Sequence, residues 1–175
     1  MWMLIIAAAL CAWAFLIHHE LTQLRLLSET AWSDLATHLT HRHTLIQQFI
    51  DALTRSDARQ SQACQPLITA HAQATRITAP HEKAVTERAL TSTLSALFAS
   101  IDHSIQLRTN EEVMDLRQSL TKLDSVWQAA GQYHNTLVQD YNTRLTAFPD
   151  RLVAHAGKFQ PKALFQPDDA SRDPV

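Results

Sequence analysis

Histidine supplies most of the side chains in this sequence that could do chemistry. There are ten, and the tightest group is His38, His41 and His43, with Asp34 four residues before His38. On a helix, Asp34, His38 and His41 share a face, so a carboxylate–imidazole metal site is geometrically available there. His43 points elsewhere, and no cysteine or second histidine pair is spaced to close the shell. A solvated or interfacial histidine face is therefore the expected reading. A di-iron bundle needs Glu-x-x-His on two helices, yet no glutamate here has histidine three residues later. His19-Glu20 and His81-Glu82 do not extend to His-Glu-x-x-His, because Gln23 and Val85 stand at the closing positions; this excludes zinc-hydrolase chemistry of that type. Two glycines in the whole chain are too few for phosphate-cradling loops or a Gly-x-Ser-x-Gly elbow. Nothing positions a Ser/His/Asp set. The expectation is no catalytic, cofactor-binding or metal residue, and no enzymatic activity.

Charge narrows the partners. Lys plus Arg is 15 and Asp plus Glu is 17, for a net of −2. From Gln166 onward the tail holds three Asp and one Arg, so the body carries 14 charges of each sign. With no basic excess or stripe, nucleic acid is not an expected partner. Cys11 and Cys64 are too few for a disulfide framework, and an unpaired Cys64 fits a reducing compartment.

The elements that would position any site are helical. Residues 1–17 contain no charge and span about 25 Å as a helix, a little short of a hydrocarbon core of about 30 Å. Leu21 and Leu24 extend the segment, His18, His19 and Arg25 suit an interface, and Trp2 suits an aromatic belt. A cleaved signal peptide would begin with a basic region, absent here. Ala12-Trp13-Ala14 fits a cleavage pattern only loosely, and Leu10 before Cys11 argues against lipidation. No Gly or Pro occurs before Pro66, so residues 1–19 read as an uncleaved single-pass anchor running straight into the first helix of the body. The one nearby basic residue, Arg25, places the body on the cytoplasmic side.

In the body, Leu24, Leu27, Ala31, Leu35, Leu39, Ile46, Phe49 and Leu53 recur at three and four, with Arg42 in one slot. This helix is expected to end between Thr54 and Arg59. Pro66 suits the first turn of a second helix, Thr78-Ala79-Pro80 breaks it, and His81 opens a third with Leu90, Leu94, Leu97, Phe98 and Ile101 inward. Thr109-Asn110-Glu111-Glu112 reads as a capping box with Thr109 as N-cap. A fourth helix follows, with a coiled-coil-like seam of Val113, Leu116, Leu120, Leu123, Trp127, Ala130, His134, Leu137, Tyr141, Leu145 and Phe148 over about 50 Å; Pro149 stops it. Trp32, Trp127 and Tyr141 read as core rather than as a ligand cage. Gly131, costly by about 1 kcal/mol mid-helix, implies close approach by a neighbouring helix. The prediction is an all-α antiparallel up-and-down bundle of about four helices over 20–165, with a disordered tail at 166–175.

With this pattern laid out, the chain resembles the LemA family of bacterial membrane proteins. Ala31-Trp32-Ser33-Asp34 and Leu39-Thr40-His41-Arg42-His43-Thr44-Leu45-Ile46 are similar to the family's Ala-Trp-Ser-(Asp) and Leu-x-Arg-Arg-x-Asp-Leu-Ile. Leu107-Arg108-Thr109-Asn110 resembles its Leu-Lys-Ala-Asn. His134-Asn135, Tyr141-Asn142, Phe148-Pro149, Leu152-Val153-Ala154 and Phe165 resemble its two Tyr-Asn pairs, Phe-Pro, small apolar run and final Phe. The departures are Ile46-Gln47-Gln48-Phe49-Ile50 without the family's proline, Ser104-Ile105 for Tyr-Pro, His134 for Tyr, and Gly131 for the usual Arg. The resemblance implies a bundle of about four helices, a short outside amino terminus and a cytoplasmic body in the inner membrane. It brings no family-wide enzymatic activity, only an association with membrane remodelling or envelope maintenance. The reading that follows is a scaffold or interaction module with membrane protein partners or itself. A periplasmic ligand-sensing bundle is the alternative, but no second apolar span accompanies the first.

Overall fold

The computed structural model describes residues 1–56 and 64–166. Its first helix, α1 (Trp2–Ser56), runs without a break from the apolar segment into the body. Fifty-five residues free of Gly and Pro give nothing to interrupt the ladder. Up to residue 16 the side chains have little packed against them. From Ile17 onward a buried stripe appears at Leu21, Ser28, Ala31, Leu35, Leu39, Arg42, Ile46, Phe49 and Leu53. The alternating steps of three and four follow one face of the helix.

Pro66 sits in the first turn of α2 (Gln65–Arg76) and Pro80 in that of α3 (Pro80–Asp102), where no intrahelical N–H is needed. The two helices pack on each other as a hairpin. Lys83 closes it by donating from Nζ to the Ala74 carbonyl at 2.6 Å, satisfying an acceptor in the last turn of α2. Leu90, Leu94, Leu97 and Ile101 are buried as expected, and Phe98 is partly buried against them.

A one-turn helix, α4 (Ile105–Arg108), which the periodicity does not announce, leads into α5 (Glu111–Thr146). The N-cap of α5 is Asn110, not the expected Thr109. The Asn110 side chain accepts from the Val113 amide at 3.2 Å, whereas the Thr109 hydroxyl donates back to the Ile105 carbonyl. Both residues are capping types, and the turn of α4 engages the threonine first. Helix α5 runs antiparallel to α1. Arg55 pairs with Glu112 at one end at 2.7 Å, and Arg144 pairs with Glu20 at the other. Its inward positions are Val113, Leu120, Leu123, Gly131, His134, Val138 and Tyr141.

The seam of α5 closes earlier than its spacing implies. The helix ends at Thr146, and Phe148 is 83% exposed. Pro149 opens another short helix, α6 (Asp150–Ala156), instead of merely stopping the chain. Ala154 of α6 is buried with Ile17 and Leu21 of α1. Lys158, at φ 54°, turns the backbone, and residues 158–166 run back as an extended strap. Helices α2 and α3 cover the distal part of the α1/α5 pair. The strap covers its proximal part, standing in for a third helix. Residues 167–175, most of the tail expected to be disordered, lie outside the described residues, as do residues 57–63 beyond the end of α1.

Candidate functional site

Two polar residues interrupt the apolar stripe of α1, and each organises a site. Arg42, fully buried, lies between an apolar cluster around Ile46, Phe49 and Leu53 and a second around Leu35 and Leu39. Its Nη1 donates to Oε2 of Glu87 on α3 at 2.6 Å, and its Nη2 donates to Thr91 Oγ1 at 2.8 Å. Asp124 Oδ1 of α5 is 3.6 Å from Nη2, and the Trp127 ring lies 5.2 Å from the guanidinium. Trp127 Nε1 donates to the same carboxylate at 2.8 Å. One guanidinium thus ties three helices together, with only Nε lacking a partner among the described residues.

Glu87 is equally enclosed. His43 Nε2 meets its Oε1 at 2.7 Å, and Lys83 Nζ lies 3.7 Å from that oxygen. Burial pushes the carboxyl upward, but the His43 hydrogen bond and the charges of His43, Arg42 and Lys83 outweigh it and hold the group below the ordinary carboxylate range. His71 of α2 stacks edge-on to His43 at 5.3 Å, its Nε2 3.1 Å from the His43 carbonyl. Burial first, and His43 second, keep His71 below the usual imidazole range. Both Glu87 oxygens are engaged, so this carboxylate is neither an open metal ligand nor a free general base. Over the cluster lies an open groove of about 630 Å³, lined by Trp32, Thr40, His43, His71, Thr75 and Lys83 among others.

The second site is the seat of the strap. Asn135 and Asn142 stand seven apart, on one face of α5. Each presents its amide to the strap as an adjacent strand would. Asn142 accepts from Lys162 N at 2.9 Å and donates to Lys162 O at 2.8 Å. Asn135 accepts from Phe165 N at 2.7 Å and donates to Phe165 O at 3.0 Å. Tyr141 adds a hydroxyl donated to Gln160 O at 3.0 Å, and His81 Nδ1 lies 2.6 Å from Gln166 O. Lys162 reaches Ser28 Oγ at 2.7 Å and the Arg25 carbonyl at 2.9 Å, which accounts for the second polar residue in the α1 stripe.

Phe165 fills a niche beside Gly131, where an added Cβ would meet its Cδ1 at 3.1 Å. Gly131 does answer a close approach, but the neighbour is the ring of an extended segment and not another helix. Beside it His134 is 4% exposed and its ring nitrogens have no hydrogen-bond partner among the described residues. Burial holds it below the usual imidazole range. The Ser28 backbone is close enough to oppose this, though outside hydrogen-bonding geometry, and the Lys162 ammonium adds to the depression.

The histidine face reads differently in three dimensions. Asp34 and His41 are exposed, His38 is half-buried, and His43 turns inward to Glu87. Among the described residues no three His, Cys, Asp or Glu side chains are grouped to hold a metal ion. Tyr141 is buried, while Trp32 and Trp127 are partly buried against Phe165. Glu87 escaped the sequence reading, and Asn135 and Asn142 enter it only as parts of family motifs, with no role attached. Glu87 had a signal: it falls in the buried stripe of α3 between Ala84 and Leu90, as Arg42 does in α1. Opposite charges in two apolar stripes can only be tolerated if they meet.

Fold and site define a class: an up-and-down helical bundle whose first helix extends beyond the body as an apolar rod, and whose carboxy-terminal strap completes the packing. The family model described as LemA family matches residues 31–175, and the chain belongs to that family. No curated protein matches it.

Proposed function

We propose that the protein is a non-enzymatic, single-pass scaffold of the bacterial inner membrane, with its amino terminus outside and its bundle cytoplasmic. The observation that carries this reading is the continuity of α1, which is long and apolar enough near its start to cross a membrane and is also the longest member of the bundle. A rigid rod shared by both compartments fixes the bundle's distance and orientation relative to lipid. Confinement to a surface raises effective concentration, so weak contacts with membrane proteins or with itself suffice. Nucleic acid has no part in this reading. Proximity labelling from the full chain in cells should return a defined set of membrane proteins, unchanged by His38→Ala and His41→Ala. Return of no specific neighbours would count against a scaffold.

The groove above His43 favours one alternative, a periplasmic bundle that senses a small ligand, because its volume lies in the range of small-molecule sites. Sidedness separates the two. Cys64 is fully buried and its thiol is pushed up by that burial, so it is a poor reporter, and Lys122→Cys on the exposed face of α5 serves instead. Labelling of that thiol by an impermeant maleimide only after lysis supports the cytoplasmic bundle; labelling in intact cells supports the sensor.

A further inference from the structure

The corner between α5 and α6 carries an exposed apolar pair that the bundle does not use. Phe148 is 83% exposed and Leu152 is 59% exposed, although both lie within a few residues of buried positions. Their location gives the exposure a meaning. Helix α6 packs through Ala154 on Ile17 and Leu21 of α1, and Phe159 stacks edge-on to His18 at 5.4 Å. Those α1 residues lie where the uncharged segment ends. That segment spans about 25 Å against a hydrocarbon core of about 30 Å, so a further turn of α1 is drawn to the interface. Along that turn one face of α1 is covered by α6, and the outer apolar surface at this level is then Phe148 and Leu152.

Charge agrees. Arg144 is neutralised by Glu20 and lies 3.8 Å from Asp150, while Arg151 and Lys158 are exposed and without an ion pair among the described residues. Aromatic and aliphatic side chains beside unpaired cations are what a lipid interface receives. Ile105 supplies a contrast: it is 79% exposed, but in α4 at the opposite end of the bundle, on the order of 50 Å up the α1 rod.

We propose that residues 148–158 form a second membrane contact, a wedge that inserts Phe148 and Leu152 into the headgroup boundary of an anionic bilayer beside the α1 anchor. The proposal rests on the reading of α1 as a membrane anchor. The test uses the full chain with Cys11→Ala and Cys64→Ala, reconstituted in vesicles of phosphatidylcholine and phosphatidylglycerol. A polarity-sensitive fluorophore is attached at Phe148→Cys, at Leu152→Cys in a second variant, and at Ile105→Cys as the distant control. A blue-shifted emission at 148 and 152, quenched by a lipid carrying its spin label high on the acyl chain and protected from aqueous iodide, is expected. The 105 probe should behave oppositely. Iodide quenching at both 148 and 152 equal to that at 105, while the protein resists alkaline extraction, overturns the wedge and leaves the anchor standing. Release of the protein by alkaline extraction overturns the anchor itself. Loss of the helical circular dichroism spectrum in one labelled variant shifts the decision to the other.

Discussion

Arg42 and Glu87 show how one buried residue commits a second. Two fully buried charges are expensive to desolvate and are tolerated because each oxygen and both terminal nitrogens find partners. Glu87→Gln leaves Asp124, 3.6 Å away, as the one carboxylate beside the guanidinium among the described residues, and stability should fall by about 3 kcal/mol or more. The double replacement Arg42→Met with Glu87→Leu should cost much less than the two single changes added together. A urea-denaturation double-mutant cycle reads the coupling, and strict additivity would mean the pair is not an interaction unit. The histidines set a pH dependence. His71 and His134 are both held below 6.5, so the unfolded chain takes up their protons first as pH falls. Stability should therefore decline between about pH 7.5 and about pH 5.5, a window in which the lowered Glu87 does not yet titrate. His134→Phe should flatten part of that slope in denaturation midpoints, and an unchanged slope would remove His134 from the account.

At the scale of elements, the strap does the work of a helix without being one. Its backbone is satisfied by side chains on α5, two bonds from each of two asparagines, as an extended segment outside a sheet requires. Asn142→Ala should weaken it by about 1–3 kcal/mol, two bonds at the usual net value. Amide exchange should rise at Lys162 and Phe165 while the α2 and α3 amides stay protected; uniform change throughout the bundle would show that the strap is not a separate unit. Gly131→Leu should have the same signature, because the new side chain occupies the place of the Phe165 ring. The strap also shows why the seam of α5 closes before its spacing runs out. Tyr141 is buried with its hydroxyl donated to the strap, whereas Phe148, at the same spacing, has passed beyond the last layer of partners.

For the whole molecule, the apolar rod and the bundle are physically joined but energetically separable up to Ile17. Removing residues 2–16 should leave thermal unfolding nearly unchanged, since those side chains have little folded surface against them, and should abolish co-flotation with uncharged vesicles, where the wedge at residues 148–158 has no anionic headgroups to bind. Leu21→Ala should act on the bundle instead, costing about 2–5 kcal/mol as a cavity in a fully buried layer, with α6 loosening first. A truncated protein that melts much earlier would show that the rod stabilises the bundle.

Helix content, the unbroken first helix and the family were legible in the chain because they depend on local or one-dimensional properties: the lack of Gly and Pro before residue 66, periodic apolar spacing, and motifs read in order. The ends of elements were less so. At residues 109 and 110 two capping side chains compete, and only the turn packed before them decides which one the helix uses. The sites were decided by tertiary structure. Which acid meets Arg42, which segment meets Gly131, and what lies over Asn135 and Asn142 are questions of partners 20 or more residues away along the chain, and no spacing within a single helix contains them. A buried polar residue announces in sequence that it needs a partner; only the packing of distant elements says which one it has.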